Sequence, residues 1–309
     1  MASFVYGPVP SRRLGRSLGV DIMPFKICTY DCIYCQLGRT TRKTVRRSSF
    51  VPVKEVIREL ADTLERIPRP DYVTVSGSGE PTLHADLGKI VSEIKKATDV
   101  SVAVVTNGSL LSQPEVREAC GGADLVLPSL DAGDDTAFRH VNRPHQSLSL
   151  EKLVQGLTDF RKTYDTEIWL EVFLLGGVTA TPTEALKIKE CADRIQPHRI
   201  QLNTVARPAA EEFALPVAPG DLEQLRKLFG ERAEVISSFS RHRQTEEFKA
   251  RCDDILALIA RRPCSIEDIA NGLMMNRSRL LKYLNDLVSQ GAIKYTYRNG
   301  RLYYIKAGG

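Results

Sequence analysis

Cys28, Cys32 and Cys35 stand within eight residues at C-x3-C-x2-C spacing, while Cys120, Cys191, Cys252 and Cys264 are scattered singly. An odd total with one tight cluster argues for metal binding rather than a disulfide framework. Three thiolates on one short loop can hold three corners of an iron–sulfur cube, which four thiolates normally hold. No fourth cysteine lies nearby, so one iron would stay open to a non-protein ligand. A structural zinc site is the competing chemistry. It needs a fourth ligand, for which His84 is the nearest histidine in sequence. Glu171 is a lone acid in an apolar run, Ile168 to Leu174. A charge there is costly unless paired or functional, which makes Glu171 the candidate catalytic residue. The four single cysteines sit among helical apolar residues and read as small core fillers.

The elements that must position these groups follow from periodicity. A short strand is expected over residues 17–23, just before the cysteine loop. Helices are expected over 53–67, 83–97, 113–119, 148–164 and 182–195, with strands over 72–76, 100–105, 123–130, 167–175 and 199–205. Six βα repeats predict an α/β fold with a parallel sheet, in which a site sits at the carboxyl ends of the strands. The prolines of 206–219 end the pattern, a helix follows over 221–229, and 237–247 reads as a polar, basic connector. The last 60 residues change rhythm. Helices over 248–260, 266–272 and 277–290 precede strands over 293–297 and 302–305, joined through Arg298-Asn299-Gly300-Arg301. Asn-Gly is a hairpin signal, and three helices plus a hairpin is the winged-helix layout.

The cysteine spacing, the βα repeats and three further stations resemble the radical S-adenosylmethionine (radical SAM) superfamily over residues 5–205. Tyr34 is the aromatic residue before the last cysteine, Gly77-Ser78-Gly79-Glu80-Pro81 follows the second strand, and Thr106-Asn107-Gly108 follows the third. The resemblance implies a partial (β/α)6 TIM-like barrel over 1–215, a helical connector over 216–247 and a winged-helix domain over 248–309. It implies a [4Fe–4S] cluster on Cys28, Cys32 and Cys35, with S-adenosylmethionine (SAM) on the open iron. Reduction would then cleave SAM to a 5′-deoxyadenosyl radical that abstracts hydrogen from a substrate, the electron coming from a donor such as flavodoxin or ferredoxin. Tyr34 would lie against adenine and Gly77, Ser78, Gly79 and Glu80 at the methionine end. Thr106, Asn107, Ser129, Asp131 and Asn203 complete the implied cofactor-binding set.

Two stretches resemble the wyosine-synthase-like iron–sulfur oxidoreductases more narrowly. One is Ser129-Leu130-Asp131-Ala132-Gly133-Asp134 with Phe138-Arg139 and Asn142-Arg143-Pro144; the other runs from Gly7 to Gly15. True wyosine-base synthases act on a tRNA guanosine and carry a second cluster bound upstream. This chain has no cysteine before Cys28, so only the general class carries over.

Charge points toward a polyanion. Residues 1–50 hold nine Lys and Arg against Asp21 and Asp31, and residues 261–309 hold nine against Glu267, Asp268 and Asp286. The whole-chain net of +5 therefore conceals an acidic middle. Arg277, Arg279 and Lys282 on the third C-terminal helix, with Lys294, Arg298 and Arg301 near the hairpin, suit phosphate contacts. Tyr295, Tyr297, Tyr303 and Tyr304 suit stacking on unpaired bases. Three functions compete: modification of a nucleotide in RNA, tRNA foremost; activation or modification of a protein or peptide; and a SAM- or redox-sensing DNA-binding regulator. The C-terminal module is expected to be separable, its deletion leaving SAM cleavage intact. No run of 18 apolar residues and no signal peptide is seen, so a cytoplasmic protein without membrane contact is expected.

Overall fold

The computed structural model describes residues 3–236, 252–273, 275–298 and 300–307. Strands β1 (Val5–Ser11) and β2 (Gly15–Val20) form an antiparallel pair. Two short strands, β3 (Ile27–Cys28) and β4 (Arg42–Lys43), pair across the base of the cysteine loop. Then come α1 (Val53–Leu64), β5 (Tyr72–Val75), α2 (Leu87–Ala97), β6 (Ser101–Thr106), α3 (Pro114–Gly121) and β7 (Leu125–Pro128). They are followed by α4 (Asp135–Val141), α5 (Leu150–Thr163), β8 (Glu167–Leu174), α6 (Pro182–Ile195), β9 (Arg199–Thr204), α7 (Pro219–Phe229) and β10 (Ala233–Val235). One eight-stranded sheet runs β1-β2-β5-β6-β7-β8-β9-β10, parallel from β2 onward.

The six expected parallel strands are present as β2 and β5 to β9, an open arc of the partial-barrel kind. The structure adds an edge strand on each side. β1 carries Gly7, Pro8 and Pro10, which remove two ladder donors and hide a strand from pattern reading; an edge position, with a register shift between Tyr6 and Val9, tolerates them. β10 is three residues long, too short to show a period, and it pairs with β9, so the stretch read as a connector also extends the sheet.

Strand parity decides what faces the cavity. Val73, Val75, Val102, Val104, Val126, Leu170, Val172 and Leu202 point outward into the main core with the helices. Alternate residues point inward. Low in the arc, Leu14, Ala103, Leu125, Leu127 and Trp169 form a second apolar cluster that plugs the interior. Glu171, two residues on from Trp169, and Asn203 share that inner face, and both line the cavity. Cys120, Cys191 and Cys264 are free and buried, as core fillers should be. The side chain of Cys252 lies outside the described residues.

The C-terminal unit contains α8 (Cys252–Arg261), α9 (Ile266–Gly272), α10 (Arg277–Ser289), β11 (Ile293–Arg298) and β12 (Arg301–Lys306), the last two antiparallel. The expected helix start at 248–251, the connector 237–247 and Asn299 lie outside the described residues. Ser265 and Asp268 form a reciprocal capping box on α9, and Asn276 caps α10. Ile255, Leu258, Ile259, Ile269, Leu280, Leu284 and Leu287 are buried together, and Val9 of β1 belongs to the same cluster. The unit also grips the segment after β9: Arg207 Nη2 lies 2.9 Å from Asp268 Oδ1, and the Tyr303 hydroxyl donates to the Ala206 carbonyl at 3.1 Å. The unit therefore covers the open side of the arc. Among the described residues no helix is long and apolar enough to cross a membrane.

Candidate cluster and cofactor site

The cysteine loop is held down by its apolar residues. Ile33 and Tyr30 are buried, and Tyr30 meets Phe138 of α4 edge to face at 5.4 Å. Ile33 N donates to the Val141 carbonyl at 2.9 Å and Asp31 N to that of Asn142 at 3.0 Å. With those groups anchored, Cys28, Cys32 and Cys35 line one cavity of about 400 Å3, each half-buried.

Each sulfur has a hydrogen-bond donor. Lys26 Nζ lies 3.1 Å from Cys35 Sγ, Asn142 Nδ2 3.5 Å from Cys32 Sγ, and Asn107 Nδ2 3.6 Å from Cys28 Sγ. Burial pushes the Cys28 thiol up to about 12 and the Cys32 thiol well above its ordinary value. A metal's charge reverses that preference and ionises a coordinating thiol outright. Thiols in a buried pocket, each facing an N–H donor, fit an iron–sulfur cluster, whose sulfurs accept such bonds. A mononuclear zinc site fits poorly. His84 is fully buried with its ring nitrogens facing the backbone N–H groups of Phe50, Val51 and Asp86.

The loops after β5 and β6 form the next wall. Gly77, Gly79, Glu80, Thr106 and Asn107 line the cavity. A Cβ on Gly79 would strike the Ile27 carbonyl, so only glycine lets the loop after β5 approach β3, at the base of the cysteine loop, this closely. Glu80 is turned inward as a knot. Its Oε1 accepts from Thr82 N, Thr82 Oγ1 and Thr106 Oγ1, and its Oε2 accepts from Asn107 N at 2.8 Å. Burial raises its pKa against those four donors. Ser78 is not among the lining residues. Its N–H and hydroxyl both donate to Asp21, which Arg261 of α8 approaches at 3.5 Å.

Asp131 also stands behind the wall. It accepts from Tyr34 Oη, from Asn142 Nδ2 at 2.7 Å and from Phe173 N at 3.2 Å. Burial pushes its carboxyl up to about 6 against the Tyr34 and Asn142 hydrogen bonds. Tyr34 lines the cavity and stacks on Phe173 at 4.0 Å. Ser129, Glu171 and Asn203 line it too. Glu171 stands within β8 rather than at its carboxyl end, and inward parity is what brings it to the cavity. It is paired: Arg13 Nη1 lies 3.2 Å away, and Asn203 Nδ2 donates to it at 2.8 Å.

The structure thus gathers the expected residues on one cavity, except Ser78 and Asp131, which support it from behind. It places Asn142, Arg12 and Arg13, which the sequence offers only within motif stretches, at the site, and it adds Lys26 and three further lining arginines, Arg207, Arg261 and Arg262.

The family model described as the radical SAM superfamily matches residues 22–188. A relative from Brachyspira hyodysenteriae, described as a GTPase Obg, is 38% identical over 97% of this chain; the chain spans 45% of that protein's length. A UPF0026 protein of Methanocaldococcus jannaschii is 31% identical over 98% of this chain and 96% of its own. The solved structure of a radical SAM methyltransferase from Sphaerobacter thermophilus is similar in fold, with a TM-score of 0.55 at 16% identity over 73% of this chain and 67% of that one. By its matched family and its near full-length UPF0026 relative, this chain belongs to the radical SAM superfamily, enzymes that use a [4Fe–4S] cluster and S-adenosylmethionine.

Proposed function

We propose that this chain reductively cleaves SAM and uses the resulting radical to modify a nucleotide within RNA, tRNA foremost. One observation carries the first half: three half-buried thiols, each facing an N–H donor, share a cavity with the loops after β5 and β6. In this reading Cys28, Cys32 and Cys35 hold the cluster. When bound, the cluster and SAM supply a one-electron cleavage that yields a carbon radical.

The chain's own residues do the rest. The knot at Glu80 fixes the Gly77–Gly79 backbone against Asn107, so the cofactor's polar end meets a rigid cradle. Tyr34, held by Asp131 and Phe173, offers an aromatic edge for the adenine. Glu171 sits above the Trp169 plug, its Oε1 fixed by Arg13 and Asn203 and its Oε2 facing the Ser129 hydroxyl at 3.4 Å, where it can orient a substrate. The C-terminal unit, three helices and a hairpin that we read as a winged helix, supports the RNA half. Tyr295 and Tyr297 of β11 are 58% and 68% exposed, open to stacking, while Tyr303 and Tyr304 of β12 are buried. Lys282 is exposed on α10.

The test is anaerobic reconstitution followed by SAM turnover with a strong reductant, with and without bulk tRNA. We expect 5′-deoxyadenosine formation to rise with tRNA and to fall after nuclease treatment. Indifference to nuclease with a response to a protein partner would replace RNA by a peptide substrate. No SAM turnover, with salt-steep binding of duplex DNA, would make the chain a regulator.

A further inference from the structure

Four guanidinium groups meet where the β1–β2 turn, the segment after β9 and the C-terminal unit close one wall of the cavity. Arg12 and Arg13 lie on the turn, Arg207 follows β9, Arg262 follows α8, and all four line the cavity. Ser11 fixes the turn by accepting from Arg13 N at 3.2 Å and Leu14 N at 3.1 Å. Carboxylates are fewer. Glu171 pairs with Arg13 and Asp268 with Arg207. Arg12 Nη2 donates to the neutral Asn203 Oδ1 at 3.1 Å, and among the described residues neither Arg12 nor Arg262 forms an ion pair within 4 Å, although Arg262 shares with Arg207 the field of Asp268. Arg207 Nε is buried without a hydrogen-bond partner. Burial, then Arg207, lowers Arg12 to about 10, with Arg13 and Arg262 adding and Glu171 opposing.

Like charges gathered in a partly buried wall repel, and a bound anion would offset that repulsion. The excess over the two carboxylates is two positive charges, the complement of a phosphate monoester dianion or of two successive phosphodiesters. The guanidinium fork matches phosphoryl oxygens in planar, paired hydrogen bonds. Four such groups from three segments suit a tetrahedral oxyanion with several acceptors better than a carboxylate, which one fork satisfies.

We propose that this wall is a phosphoryl-binding subsite for the substrate, in which Arg12 and Arg262, backed by Arg207, hold a phosphate group while the cysteine side of the cavity holds SAM. The assignment deepens the function proposed above and rests on it, in that substrate and SAM share one cavity. The methionine carboxylate of SAM is the other anion a guanidinium here could take, and the experiment separates the two.

The experiment is calorimetric titration of the reconstituted, SAM-saturated full chain with inorganic phosphate, and with acetate at matched ionic strength. We expect phosphate to bind about tenfold or more tightly than acetate, and Arg12→Gln and Arg262→Gln each to weaken phosphate about tenfold, the equivalent of one charged hydrogen bond. Arg262→Lys, which keeps the charge and loses the fork, should fall between, and thermal unfolding of each variant checks its fold. SAM affinity, titrated separately, should change far less than phosphate affinity. Phosphate no tighter than acetate, or unchanged in the glutamine variants, overturns the subsite. So does a loss of SAM affinity in step with phosphate, which would give these arginines to the cofactor. A wild-type chain that takes up no iron or SAM overturns the proposed function instead, and phosphate titration of the apo chain still decides the subsite.

Discussion

Lys26 is 3% exposed, with its ammonium 3.1 Å from Cys35 Sγ. A buried cation beside a cluster favours the more negative, reduced form, and hydrogen bonds to cluster sulfurs tune potential in the same direction. Lys26→Met should therefore shift the cluster to a more negative midpoint potential in an EPR-monitored redox titration. An unchanged or more positive midpoint would leave Lys26 a packing residue. Glu80 makes a second prediction at this scale. Glu80→Ala strands the donors of Thr82, Thr106 and Asn107, each at about 1–3 kcal/mol, so denaturant unfolding of the apo chain should show a loss of about 3 kcal/mol or more. A loss under about 1 kcal/mol would mean that water reaches those donors. Residue chemistry was legible where identity and spacing coincide, as in Cys28, Cys32 and Cys35. Lys26 and Arg12 were not, because only folding brings Lys26 to Cys35 and Arg12 to Asn203 on β9.

At the scale of elements, α9 couples its own cap to the segment after β9. Asp268 is buried, which alone would raise its pKa, but Arg207, the Ser265 N–H and Arg262 together hold it below the usual carboxylate range. A depressed carboxylate stabilises the fold above its unfolded pKa of about 3.9, and that contribution is lost as pH falls through the lower folded value. Asp268→Asn can still accept at the cap and lacks the charge. Thermal unfolding should show the wild type more stable near neutral pH, with the difference shrinking below about pH 4. A pH-independent difference would assign the effect to capping. In α10, Leu284 is fully buried, and Leu284→Ala should cost about 2–5 kcal/mol. The helices and six parallel strands were readable because their apolar periods are long. β1 was not, since its prolines break the pattern, and β10 is shorter than any period can reveal.

Over the whole molecule, the C-terminal unit is built into the cavity rather than hung beside it. Val9 of β1 is buried in that unit's core, and Arg261 stacks over Tyr6 at 4.2 Å while approaching Asp21, which in turn holds Ser78. The sequence predicts a separable module, because the amphipathic helices of the unit are complete in themselves and nothing local marks the contact with β1. We infer that removing residues 252–309 uncovers Val9 and Tyr6, opens the arc and releases the loop after β5. The truncated chain should then lose SAM binding by calorimetry, and retention of full affinity would restore the separable module. We propose that Cys28, Cys32 and Cys35 hold a cluster with one iron open to SAM. The most direct test is iron content and reductive SAM cleavage, measured anaerobically on the reconstituted wild type and Cys32→Ala. We expect about four irons per chain and slow 5′-deoxyadenosine formation in the wild type, with both lost in the variant. A Cys32→Ala chain that keeps its iron and still cleaves SAM would contradict the proposal.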